Sequence, residues 1–149
     1  MKRLLLHALC LPMNALALTL AWLATCGAGP AWQRRGQLLI VRPSTSSWLA
    51  RYWRYSTTLG HVVLWHPDHD EAVLAHELIH VLQAEACCLG WWLLALVAWS
   101  STLVWLSPFA WLALYGAACV AAWLSGAEAY RGNVFERHAR AELLNPELS

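Results

Sequence analysis

The sequence has few charged residues. Only 13% of its 149 residues are charged, whereas soluble domains usually carry about a quarter. Hydrophobic residues make up 59% of the chain and include 11 tryptophans. Because the apolar residues come in long blocks, the composition favours a membrane-associated protein over a larger soluble core. The length allows one domain at most.

The chain also lacks an excess of charge of either sign. Its formal net charge is only +1, and it contains neither a phosphate-binding motif nor a base-stacking motif. Without a basic surface there is nothing to attract a phosphate backbone. Nucleic acid is therefore not an expected partner.

Cysteines are five in number and form no CxxC motif. An odd count does not predict a disulfide framework, and a thiolate zinc site has no support. Cys10, Cys26 and Cys119 lie in or at the ends of apolar segments, where a thiol acts as a small hydrophobic group. Cys87 and Cys88 are interpreted as small residues at a membrane boundary, with palmitoylation or metal binding as alternatives.

Residues 76–80 read His-Glu-Leu-Ile-His, an HExxH motif. The surrounding segment is predicted to be a helix from about residue 68 to about residue 86, with Asp68 as its N-cap. On a helix, His76 and His80 share one face, so both imidazoles can bind one metal ion. Glu77 lies beside that face and can take a proton from metal-bound water. The motif predicts a zinc site; the alternative is an amphipathic helix that carries these residues by coincidence.

The chain between residues 89 and 125 is almost entirely apolar and is interrupted at Ser107-Pro108. The two parts, 89–106 and 109–125, are 18 and 17 residues long, at the short end for crossing a bilayer. They predict a hydrophobic helical hairpin that enters or spans the membrane and returns the chain to its starting side. Tryptophans near the ends of both parts are predicted interfacial anchors: Trp91, Trp92, Trp105, Trp111 and Trp123.

A catalytic zinc ion normally takes three protein ligands, so one more is needed. It should follow the hairpin, on the same side of the membrane as the HExxH helix. The candidates there are Glu128, Glu136 and His138. We favour Glu136, because it lies inside a predicted helix and clear of the membrane boundary. Tyr130, which precedes it, is a candidate donor to the oxyanion of a hydrolytic transition state, or a packing residue.

The N-terminal residues 1–26 are predicted to form a retained hydrophobic anchor, although a basic start before an apolar stretch also suits a secretory signal. Residues 27–36 read as a connector. Residues 37–41 and 60–65 are strand candidates and predict a small β-hairpin. A strand just before an HExxH helix is where an extended substrate could pair. His61, His66 and His69 are poor ligand candidates.

The aromatic residues near position 50 alternate with Arg51 and Arg54, which suits a membrane-interface belt or ordinary packing. These aromatics are Trp48, Tyr52, Trp53 and Tyr55.

The order of HELIH, hydrophobic hairpin and helical glutamate resembles the integral-membrane gluzincins of the CAAX-prenyl-protease and HtpX kind. The segments HELIHVLQ and YRGNVFERHAR resemble more closely small bacterial membrane proteins with an HExxH and a later Y-x-x-N-x-F-E-x-x-A. The resemblance covers about residues 58–141. It implies zinc ligands at His76, His80 and Glu136 and a general base at Glu77. One departure is Arg140, which stands where the gluzincin pattern has a histidine-orienting aspartate.

These observations together predict a mainly α protein with a small β-hairpin, in which a minimal zincin-like core occupies residues 27–149 and includes the membrane hairpin 89–125. The predicted function is a membrane-associated zinc metallopeptidase that acts on peptides or membrane proteins at the bilayer. The alternative is a non-catalytic, zinc-stabilised membrane scaffold or partner protein. Residues 27–88 and 126–149 carry eight of the ten Lys and Arg residues, which predicts a cytoplasmic site at a bacterial inner membrane. Lys2 and Arg3 argue for the opposite orientation, and the oligomeric state is not indicated.

Overall fold

The computed structural model describes residues 2–25, 31–35, 38–43, 55–66, 71–99 and 101–144. The helices are α1 (Lys2–Leu9), α2 (Leu11–Ala24), α3 (Glu71–Val97), α4 (Ser101–Trp105), α5 (Ser107–Leu124) and α6 (Val134–Leu144). The strands are β1 (Ala31–Arg35), β2 (Leu38–Arg42), β3 (Thr57–Leu59) and β4 (Val62–Leu64). The structure confirms the prediction of a mainly α fold with a small β element.

The predicted β-hairpin of residues 37–41 and 60–65 is wrong, because the strands there pair in parallel within a four-stranded mixed sheet in the order β1-β2-β4-β3. β2 and β4, which match the two predicted strands, pair in parallel, and β1 and β3 add antiparallel edges. β1 lies in the segment predicted as a connector, so that prediction was wrong for residues 31–35. Its side chains from Trp32 to Arg35 are all exposed, and the strand therefore lacks the alternating pattern by which strands are recognised.

The helix with the HExxH motif is longer than predicted. α3 continues without a break through Cys88 and Gly90 to Val97. The first arm of the predicted hairpin, residues 89–106, is therefore not one helix but is divided between the end of α3 and α4. A glycine inside a helix costs only about 1 kcal/mol, which packing against α1 and α5 can offset. The predicted interruption at residues 107–108 is correct, since α5 begins there with proline in its first turn.

One buried cluster joins the N-terminal helices to the sheet, α3 and α5. It includes Met13 and Ala21 from α2, Val62 from β4, Cys88 from α3 and Trp111 from α5. The N-terminal helices thus share a core with the HExxH helix. Trp111 was predicted as an interfacial anchor but is only 4% exposed. It belongs to this buried cluster, and its ring packs edge to face against the Phe135 ring.

In the described part of the chain, one helix, Ala72–Val97, is long and apolar enough to cross a membrane. Two shorter apolar helices are Leu11–Leu23 and Phe109–Leu124. The HExxH motif lies in the first third of the long helix. The predicted cap at Asp68, His69, Cys26 and the aromatic residues at 48, 52 and 53 fall outside the described residues.

Candidate metal centre

The two histidines of the HExxH motif lie one turn apart on α3 and point to the same place. Their Nε2 atoms are 3.1 Å apart, and their rings meet edge to face with centroids 4.7 Å apart. The i,i+4 spacing on a helix produces this arrangement, as the sequence predicts.

Glu136 joins this pair from the first turn of α6. Its Oε2 lies 3.1 Å from His76 Nε2, and its Oε1 lies 3.1 Å from His80 Nε2. The three side chains form a group able to hold a metal ion. Glu136 is 2% exposed and His80 is 6% exposed, so two members of the group are buried, while His76 is partly exposed.

The other histidine and glutamate candidates lie elsewhere. Glu128 is exposed and faces Arg131 at 3.5 Å, and His138 is exposed and faces Glu142 at 3.6 Å. Of the candidates weighed for a third ligand, the structure brings only Glu136 to the histidine pair.

His61 is buried in the turn between β3 and β4, away from the trio. Its Nε2 lies 2.8 Å from Glu85 Oε1, and its backbone N–H donates to Asn14 Oδ1 at 2.8 Å. The His66 backbone N–H donates to Ser56 Oγ. Neither histidine belongs to the candidate metal group formed by the described residues.

Asn133 sets the start of α6 and hence the position of Glu136. This fully buried side chain accepts a hydrogen bond from the Phe135 N–H at 2.9 Å, the N-cap arrangement. Its amide also donates to the Tyr115 carbonyl oxygen and to Cys119 Sγ on α5. α6 is thereby tied to α5, with its first turn facing α3.

Gln83 fixes the ring of His80. Its amide nitrogen lies 3.2 Å from the Phe135 carbonyl oxygen, so its amide oxygen faces His80 Nδ1, at 2.8 Å. Nδ1 must then be the donor. Protonated His80 also donates from Nε2 to Glu136, whereas in neutral His80 the Nε2 presents a lone pair to the centre of the trio. This is the tautomer that a metal ligand needs.

Tyr115 and the two histidines together hold the Glu136 carboxylate. The Tyr115 hydroxyl donates to Glu136 Oε1 at 2.6 Å, and Arg140 Nη2 lies 3.8 Å from Oε2. Burial acts to raise the pKa of Glu136, but the hydrogen bonds from His76, His80 and Tyr115 outweigh it and hold the pKa well below its ordinary value. Glu136 is therefore an ionised, buried carboxylate that faces two imidazole nitrogens.

Glu77 is 4% exposed and bonds to the sheet. The Thr58 hydroxyl on β3 donates to Glu77 Oε2 at 2.5 Å. The strand predicted to lie beside a substrate, β4, is inside the sheet between β2 and β3, so that prediction was wrong for this strand. Among the described strands β3 lies at the sheet edge, and this edge is next to the HExxH glutamate.

A cavity of about 400 Å³ opens at this point, lined by Glu77, His80 and Glu136 together with Thr58, Trp111 and Tyr130. Tyr130 is 40% exposed, and the Arg140 guanidinium lies 5.8 Å from the centre of its ring. Burial, and then the negative charge of Glu136, raise the pKa of Tyr130. The predicted catalytic residues Glu77 and Tyr130 therefore border the same cavity as His80 and Glu136 of the candidate metal-binding trio.

Sequence reasoning missed three residues that support the site: Thr58, Gln83 and Tyr115. Gln83 could have been found, since it lies three residues after His80 and thus on the same helical face. Thr58 and Tyr115 reach the site only through the packing of β3 and α5, and no local pattern marks them.

Comparisons with protein-family models, with curated proteins and with solved structures gave no match.

Proposed function

We propose that the protein is a membrane-associated zinc metallopeptidase with a minimal zincin-like core, which hydrolyses peptide bonds with Glu77 as general base. The observation that carries the proposal is the position of Glu77. It lies beside the trio of His76, His80 and Glu136, at one cavity bordered by a sheet edge.

The trio fits zinc in its chemistry and its size. Two imidazoles and a carboxylate are a ligand set of catalytic zinc sites, which leave a fourth position open. In a tetrahedral site with bonds of about 2.1 Å, ligand atoms lie about 3.4 Å apart. His76 Nε2 lies 3.1 Å from His80 Nε2 and from Glu136 Oε2, and His80 Nε2 lies 3.1 Å from the other oxygen, Oε1. The three side chains are therefore close enough together to bind one ion.

When bound, zinc would act as a Lewis acid on a carbonyl group and lower the pKa of a water molecule. Thr58 holds Oε2 of Glu77, so the other carboxylate oxygen is the one that accepts the proton of the attacking water. Glu77 then passes this proton to the leaving amine. Tyr130, whose raised pKa keeps the phenol protonated, donates to the developing oxyanion. The edge of β3 pairs with an extended substrate.

The outer surface supports an association with lipid. Large apolar side chains are exposed along the second half of α3 and along α5, among them Leu93, Leu96, Val97, Leu114, Val120 and Trp123. Exposed apolar areas of this extent mark membrane or protein contact surfaces. The substrates are accordingly peptides or membrane proteins at the bilayer, with the site on the cytoplasmic side of a bacterial inner membrane.

The test begins with zinc per chain in detergent-purified protein, measured by elemental analysis. We expect one zinc ion per wild-type chain and a sharp loss in Glu136→Ala. Glu142→Ala is the matched control, because Glu142 lies on the same helix but faces His138. Unchanged zinc binding in Glu136→Ala would refute the three-ligand site.

Glu77→Gln then tests catalysis. We expect this variant to keep its zinc and to lose proteolysis of a broad peptide panel. A second candidate function, a non-catalytic zinc-stabilised scaffold, is favoured by the way the trio joins α3 to α6. Zinc-loaded wild-type protein that cleaves nothing in the panel would establish that alternative.

A further inference from the structure

The cavity beside Glu77 has mostly uncharged walls. On the side of α5 it is lined by Trp111, Leu112 and Tyr115, and on the side of the sheet by the hydroxyl residues Thr57 and Thr58. Among the described residues that line it, the only carboxylates are Glu77 and Glu136, and no lysine or arginine is present. Both carboxylates already have roles in the candidate metal centre.

Trp111 and Tyr115 form a rigid aromatic wall of this cavity. The Trp111 ring meets the Phe135 ring edge to face with centroids 5.0 Å apart, and the Tyr115 ring stacks on the Phe135 ring at 6.1 Å. Phe135 comes directly before Glu136, so the wall and the metal-binding carboxylate share one support. A ligand that packs against this wall therefore lies close to the Glu136 carboxylate.

The cavity volume, about 400 Å³, lies in the range of about 300–1,000 Å³ typical of ligand pockets. A charged side chain placed there would lose its water and gain no partner of opposite sign other than the catalytic groups. A bulky apolar side chain would instead bury its surface against Trp111 and Leu112.

We propose that this cavity is the specificity pocket for a bulky, uncharged side chain, such as that of Leu or Phe, beside the scissile peptide bond. The proposal rests on the proposed function, since it assigns a substrate class to the same site. It makes the protein selective for peptide bonds beside a bulky apolar residue.

The test measures the binding of hydroxamates, which need no turnover, to zinc-loaded full-length protein in detergent by calorimetry. The series comprises acetohydroxamate and N-acetyl amino-acid hydroxamates with Ala, Leu, Phe, Asp and Lys side chains. We expect the Leu and Phe compounds to bind about tenfold or more tightly than the Ala compound, and the Asp and Lys compounds to bind no better than Ala. The Glu136→Ala protein controls for partition into detergent and should show no such preference.

The outcomes separate this proposal from the proposed function. If acetohydroxamate does not bind to the zinc-loaded protein, the proposed function fails and this inference fails with it. If all the compounds bind with similar affinity, or if Asp or Lys is preferred, the pocket assignment alone is overturned. The comparison among the compounds uses the wild-type chain, so only the partition control depends on the folding of a variant.

Leu112→Arg gives an independent test within the pocket. Leu112 is 46% exposed, and Leu114 on the same helix is 51% exposed but does not line the cavity, which makes Leu114→Arg the matched control. We expect Leu112→Arg to weaken binding of the Phe compound and to improve that of the Asp compound about threefold, with no change in Leu114→Arg. Equal effects of the two variants would overturn the assignment.

Discussion

Thr58 on the sheet edge donates a hydrogen bond to Oε2 of Glu77, and the two oxygen atoms are 2.5 Å apart. The hydroxyl also lies 3.4 Å from the backbone carbonyl oxygen of Glu77, so it contacts both the side chain and the backbone of this residue. The strand that borders the cavity thus also orients the proposed general base. In this arrangement the pairing of a substrate with β3 and the position of Glu77 are coupled.

Thr58→Val should reduce kcat by about tenfold, the cost expected when a hydrogen bond to a charged group is lost. Zinc content should change little, because Thr58 contacts the base and not the trio. Thr58→Ser, which keeps the hydroxyl, should retain most of the activity, and Thr19→Val on the exposed face of α2 should have no effect. Steady-state kinetics on a fluorescent peptide and elemental analysis would measure this. Equal losses in the serine and valine variants would show that Thr58 has only a packing role.

Gln83→Met should weaken zinc binding by about tenfold to a hundredfold, the usual effect of removing a partner that orients a ligand histidine. The substitution removes the acceptor for His80 Nδ1–H and allows the other tautomer, in which Nε2 carries the proton. Zinc affinity would be measured by competition with a chelator of known affinity. Leu82→Ala, at the neighbouring exposed position, should leave the affinity unchanged. A wild-type affinity in Gln83→Met would contradict the assigned tautomer.

Asn133→Ala should lower the free energy of unfolding by about 1–2 kcal/mol, the usual cost of a lost N-cap side chain. It should also weaken zinc binding, because α6 loses its tie to α5 and Glu136 follows the helix start. Chemical denaturation in detergent and chelator competition would measure the two effects. Val134→Ala is the control, since Val134 is the next residue and is 59% exposed. If Asn133→Ala is destabilised but binds zinc with the wild-type affinity, the N-cap does not position Glu136 for metal binding.

Gly60→Ala should destabilise the fold by about 2 kcal/mol, in the range usual for a strained backbone position. Gly60 has a φ of +60°, and a Cβ there would collide with the Asn14 side chain that binds His61. Gly116→Ala is the matched substitution, because a Cβ at this position of α5 meets no atom within 4 Å. It should be neutral or stabilise the helix by about 0.5–1 kcal/mol. The Tm values of the Gly60→Ala and Gly116→Ala proteins would be measured by thermal unfolding and compared with that of the wild type. Similar shifts in Tm for the two variants would contradict the clash at Gly60.

The part of the site that lies on α3 could be predicted, because it depends only on spacing along one helix. His76, Glu77 and His80 lie on neighbouring positions of one helix, so their spacing alone places them together. Glu136 could be chosen over Glu128 and His138 from its place inside a predicted helix beyond the hairpin. The length of α3 could not be predicted in the same way, since the small residues near Cys88 and Gly90 suit either a helix interior or a helix end.

By itself, the sequence determined the mainly α class, the motif and the charge-poor, apolar character of the chain, since each depends on composition or on spacing along one helix. Only the tertiary structure decided the parallel pairing of β2 with β4, the burial of Trp111 and the approach of Thr58 and Tyr115 to the site. These contacts join residues on different elements, far apart in sequence in most cases, and no local pattern encodes such pairings. They arise when the chain packs its apolar faces together, and the same packing places the sheet edge against the HExxH helix.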